Sequence, residues 1–113
     1  MDILLGLKIV AALATVATGL YAFVKPSAAY GFVGLSAEGA RGLSEMRSIF
    51  GGLFIGLGMA PFFLVEAGYT ILGIGYAAIA AARAFSIVYD RSYAQSNIIS
   101  LVTEIVLGII LVV

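Results

Sequence analysis

The chain alternates four long apolar runs with short polar or glycine-rich breaks. The first run extends from Ile3 to Val24 with Lys8 as its one charge. At about 1.5 Å per residue, a helix of this length crosses the hydrocarbon layer of a bilayer. Lys25-Pro26 ends it, because proline disfavours helical geometry at the residue before it and a lysine at that point reaches the headgroups. A signal peptide would place positive charge ahead of a shorter apolar stretch. Here Asp2 leads, so the run is read as a retained span.

Residues 26–43 carry Gly31, Gly34, Gly39 and Gly42 among Tyr30, Phe32, Val33 and Leu35. A short helix resting on the membrane surface around Ser27 to Leu35 fits this composition, and so does an irregular loop. The second run, about 44–66, opens on Ser44 as N-cap with Glu45 in the first turn. Pro61 inside it predicts a kink. The third run covers about 68–89, so the turn before it is very short and makes runs two and three antiparallel neighbours. Asp90-Arg91-Ser92-Tyr93 forms the next turn, and the fourth run occupies about 95–113. The expected architecture is all-α. It is a single membrane domain over residues 1–113, built as a four-transmembrane-helix bundle with a long, interfacial first connection.

Composition agrees with lipid as the solvent. Apolar residues make up 63 % of the 113 residues and charged residues 11 %, far too few to cover a water-exposed surface. Mean hydropathy is +1.17. The formal net charge is zero, with no basic stripe for nucleic acid. Cysteine and histidine are absent, which removes disulfides, thiolate sites, the usual haem and zinc ligand and the commonest catalytic base. No cofactor and no metal site is expected, and the expected surroundings are membrane lipid. The basic residues Lys25, Arg41, Arg47, Arg83 and Arg91 lie toward one side of the predicted bundle. The positive-inside bias therefore places both termini outside and both charged connections in the cytoplasm, across the inner (cytoplasmic) membrane.

The informative residues are the ionisable groups inside the runs, each of which should face protein, water or another charge. Arg83 and Glu104 fall at similar depth on adjacent antiparallel helices and are expected to meet. Arg47 and Asp90 form a second candidate pair nearer the surface, with Glu45 in the same polar cluster. Glu45 cannot pair with Arg47 along one helix, since residues two apart point to different faces. Lys8 and Glu66 form a candidate outer pair. Such pairs hold helices in register, or line a polar cavity for a ligand, an ion or protons.

Small residues mark close approaches. Gly52-x-x-x-Gly56 permits tight helix packing, with Gly51 and Gly58 close by. Ala11, Thr15 and Gly19 give the first run a small face, and Ala77 and Ala81 do so for the third. Either set serves a neighbour within the chain or a second subunit, in a homo-oligomer or a larger membrane complex.

The block Ser44-Glu45-Met46-Arg47-Ser48-Ile49-Phe50-Gly51-Gly52 resembles the N-E-x-R-A-x-Y-G-G signature of a family of small, uncharacterised bacterial four-helix membrane proteins. Arg83-Ala84-Phe85-Ser86-Ile87-Val88-Tyr89-Asp90 is similar to that family's R-x-x-S-x-x-x-D stretch, and Glu104 matches its late acidic position. The resemblance covers nearly the whole chain. It implies a four-helix fold with a shared polar cluster of Glu45, Arg47, Arg83, Asp90 and Glu104, and no known reaction. Ser44 and Phe50 stand where the family has Asn and Tyr, so two hydrogen-bonding groups of the signature are altered or lost.

Three functional classes fit. A non-enzymatic membrane scaffold or small accessory subunit accords with the absence of a nucleophile arrangement and the scarcity of extramembrane chain. A small carrier, channel or lipid- or small-molecule-binding module requires a cavity reaching Glu104. A membrane enzyme acting on a lipid-like substrate requires a cleft open to lipid, with carboxylates as acid and base. The sequence favours the first and assigns no catalytic residue.

Overall fold

The computed structural model describes residues 2–113, and Met1 and the side chain of Phe32 lie outside the described residues. Asp2 is extended, and its carboxylate accepts a hydrogen bond from the Leu5 N–H at 2.7 Å, which caps α1 (Ile3–Val24). Lys25 breaks the helix and Pro26 opens α2 (Pro26–Val33), where its missing N–H costs nothing. α2 stops at Gly34, which takes the left-handed conformation with φ 79°. The first connection thus contains a true helix. It folds back on the end of α1, where Ala22 and Ala29 pack with Met46 in a small apolar cluster.

The second span begins earlier than the N-cap pattern at Ser44 predicts. α3 (Gly39–Glu45) starts after Glu38, so Ser44 lies inside a helix. The exposed Arg41–Glu45 pair, one turn apart at 3.3 Å, favours this earlier start. α3 runs directly into a π-helix (Met46–Leu53) and then α4 (Phe54–Leu64). Gly39–Leu64 is therefore one continuous apolar helix of 26 residues. Pro61 sits within α4, close to the corner with α5 (Glu66–Tyr89). At that corner Val65 adopts φ 54°, which L residues rarely adopt and β-branched ones least of all. Gly68 presses so closely on α4 that a Cβ there would lie 2.5 Å from the Pro61 Cα. After a turn with Arg91 at φ 54°, α6 (Gln95–Val112) completes the chain.

The protein is all-α, with four helices among the described residues long and apolar enough to cross a membrane: Ile3–Val24, Gly39–Leu64, Glu66–Tyr89 and Gln95–Val112. α1 packs along the π-helix and α4, and α5 packs along α6. The two pairs are joined by the α4–α5 corner, while α1 touches α5 and α6 only sparsely. Near the corner the gap is filled by Ala11, Ala12, Tyr69, Leu72 and Leu111. Large apolar side chains such as Phe63, Ile74, Val102 and Ile109 point outward. This outer surface suits hydrocarbon and gives the chain a multi-pass membrane topology.

Glycines set the helix spacing. A Cβ on Gly19 would lie 2.7 Å from the Gly51 carbonyl oxygen and 2.8 Å from the Ile55 nitrogen. One on Gly58 would lie 2.9 Å from the Ala12 carbonyl oxygen. Gly51 and Gly58, seven residues apart, thus form the face that meets α1. Gly52 and Gly56 are exposed, and among the described residues no atom of another helix lies within 4 Å of the Cβ position at either. On α5, Gly73 meets Gly108 of α6, with Ala77 beside this crossing and Ala81 exposed.

Candidate functional site

Arg83 and Glu104 face each other across α5 and α6. The Arg83 Nε and Nη2 groups each donate to one Glu104 carboxylate oxygen at 2.7 Å, a bidentate pair. Nη1 of Arg83 donates to the Asn97 side-chain oxygen, also at 2.7 Å. The Asn97 amide in turn donates to the Ser92 carbonyl and hydroxyl oxygens at 3.1 and 3.0 Å. The network therefore ties the middle of both helices to their connecting turn. The Glu104 side chain is 12 % exposed and that of Arg83 31 %.

The exposed part of Arg83 borders a half-open cavity of about 360 Å³. This volume is at the lower end for sites that hold small ligands. Arg83, Glu104 and Tyr76 form one wall together with Ser100 and Thr103. Opposite them stand Ala14, Thr18 and Ala22 of α1, with Phe50 of the π-helix and Phe54 of α4. The two helix pairs are packed together at the corner end by Ala11, Ala12, Tyr69, Leu72 and Leu111, and the cavity lies between them on the side of Arg83 and Glu104. Tyr76 is fixed by a hydrogen bond between its hydroxyl and that of the buried Thr15.

The remaining sequence-predicted residues lie elsewhere. Arg47 donates to the carbonyl oxygen of Phe23, in the last turn of α1, where carbonyls lack intrahelical partners. The π-helical turn that carries Arg47 aims it at α1, so no Arg47–Asp90 pair forms among the described residues. Asp90 instead accepts from the Ser86 hydroxyl one turn earlier, at 2.6 Å. Glu45 pairs with Arg41. The expected cluster of Glu45, Arg47, Arg83, Asp90 and Glu104 is thus divided among four places. Lys8 and Glu66 form no ion pair among the described residues. The Lys8 ammonium lies 5.9 Å from the centre of the buried Tyr69 ring, and Glu66 occupies the first turn of α5, where the helix dipole favours it.

Sequence reasoning missed Asn97, Ser100, Thr103 and Tyr76. A usable signal was present on α6. Asn97, Ser100 and Glu104 recur at helical spacing and mark one polar stripe on an otherwise apolar helix. No group of three or more acidic, histidine or cysteine side chains is placed to hold a metal ion among the described residues.

No curated protein and no solved structure matches the chain. One family model does, over residues 3–113, and it is described as a domain of unknown function, DUF4345. This match covers the four spans, the π-helix and both walls of the cavity, and on that basis the chain belongs to the DUF4345 family.

Proposed function

We propose that the protein is a non-enzymatic binding module of the membrane, whose cavity receives a small amphiphile. The half-open space beside Arg83 and Glu104 is the observation that carries this reading. Membrane helices associate largely through close packing, so an unfilled gap of about 360 Å³ forfeits contacts that a pure scaffold would keep. A bulky apolar side chain in place of Ser100 would fill it. A mostly apolar wall with a few convergent polar groups is the usual makeup of a ligand site. In this reading water reaches the polar wall when the site is empty, which keeps the exposed part of Arg83 solvated. Both termini lie outside a bacterial inner membrane, and the connections bearing Lys25, Arg41 and Arg91 lie in the cytoplasm.

The test is occupancy. Protein extracted from membranes in a mild detergent should retain a small amphiphile, detected by mass spectrometry. A cavity-filling Ser100→Phe variant with the same helical content should retain none. Equal retention by both forms, or none by either, would overturn the reading.

A scaffold or accessory-subunit role rests on a different observation. The bidentate Arg83–Glu104 pair fixes the register of α5 on α6, and Gly52 and Gly56 leave a small-residue face open on the outside of the second span. That role expects Gly56→Leu to change the subunit count in detergent without affecting amphiphile retention.

A further inference from the structure

The direction of the hydrogen bonds around the cavity narrows the class of ligand, and this step rests on the binding reading above. Thr18 donates its hydroxyl hydrogen to the Ala14 carbonyl at 2.9 Å, and Thr103 donates to the Ile99 carbonyl at 2.8 Å. Each hydroxyl has one hydrogen, so both present only oxygen lone pairs to other partners. Thr15 donates to the Ala11 carbonyl at 2.8 Å, so in its bond with Tyr76 the tyrosine is the donor. Tyr76 then offers only an acceptor to the cavity. The Glu104 carboxylate accepts one hydrogen bond at each oxygen from Arg83 and keeps lone pairs free.

Donors are fewer. Ser100, whose hydroxyl makes no hydrogen bond to the protein among the described residues, offers one. Arg83 uses three of its five N–H groups on Glu104 and Asn97, leaving two. The charges on this wall cancel. A carboxylate or phosphate entering the cavity meets a guanidinium already neutralised by Glu104, and an ammonium meets a carboxylate already neutralised by Arg83. Either ion loses its hydration without gaining a free counter-charge.

We infer that the cavity selects an uncharged amphiphile whose head donates hydrogen bonds, namely an apolar chain ending in one or more hydroxyl groups. Its chain lies against Ala14, Ala22, Phe50 and Phe54, and its hydroxyl hydrogens point at Thr18, Thr103 and Tyr76. A hydroxylated membrane lipid and a free long-chain alcohol share this chemistry.

The experiment compares five ligands of one chain length, each added to the intact protein in mild detergent and measured by native mass spectrometry. They are monolauroylglycerol, dodecanol, methyl laurate, laurate and dodecylammonium. At least one alcohol should bind about tenfold more tightly than methyl laurate, which accepts hydrogen bonds but donates none. The glycerolipid binding more tightly than dodecanol would identify a lipid as the source, and the reverse order a free alcohol. Thr103→Val, similar in shape and on a part of α6 open to the cavity, should lower the alcohol-over-ester preference about fivefold. If the ester or either ion binds as well as the alcohols, the inference fails and the binding reading stands. If none of the five binds, both fail.

Discussion

Removing the Glu104 carboxylate tests how the polar wall is held. Glu104→Ala deletes two charge-assisted hydrogen bonds of 2.7 Å and leaves the Arg83 guanidinium with Asn97 alone. Breaking a buried ion pair from one side costs about 3–5 kcal/mol, because the surviving charge stays desolvated. The Arg83 side chain is already 31 % exposed toward the cavity and can recover some hydration there. The expected loss is therefore about 3 kcal/mol, the lower end of that range. Arg83→Ala should cost a similar amount for the mirror-image reason. The double variant removes both charges together, so it should cost about 3–4 kcal/mol rather than the roughly 6 of simple addition. The assay is reversible unfolding in mixed micelles with a rising fraction of denaturing detergent, followed by helical content. Additive losses would refute the reasoning, and so would a stability unchanged by either single substitution.

Four further outcomes follow, three from the backbone and one from a surface ion pair. Gly58→Ala should destabilise the same equilibrium by about 1–3 kcal/mol, because the new methyl meets the Ala12 carbonyl 2.9 Å away. Gly56→Ala, into open space, should be neutral or stabilising by roughly 0.5–1 kcal/mol, and equal effects at the two positions would contradict the packing face described. Val65→Gly should raise stability by about 1 kcal/mol by relieving the φ of 54° at the corner, and a loss there would mean the valine side chain matters more than its backbone. Arg41→Ala should leave the unfolding midpoint unchanged, since its pair with Glu45 is exposed on both sides.

The fold was legible where length and hydropathy decide it, and the four spans follow from runs that only a bilayer accommodates. Counting residues from the α5–α6 turn also places Arg83 and Glu104 at one depth, and there the two side chains meet. What pattern alone does not resolve is which face of a helix turns inward. Gly52 with Gly56, and Gly51 with Gly58, are both valid helical stripes, and only the crossing with α1 selects the second. The start of the second span was hidden for a related reason. Ser44-Glu45 looks like a cap, but a helix already under way at Gly39 needs none there. The π-helix carries no propensity signal that separates it from an α-helix, yet it redirects Arg47 to the end of α1 and so divides the expected cluster. The cavity is a difference between two packings, close at the corner and open beside Arg83, and no local stretch of sequence encodes it.

The chain contains no cysteine, so single cysteines can report solvent access without background. The decisive comparison places one at Ser100, on the polar wall, and one at Val102, 55 % exposed on the outer face of α6. A charged thiosulfonate is added to the protein in lipid vesicles, and because only the thiolate reacts, labelling requires water at the site. Labelling is expected at Ser100→Cys and is blocked by a bound amphiphile, while Val102→Cys stays inert in hydrocarbon. Rapid labelling at position 102 with none at position 100 would contradict this expectation.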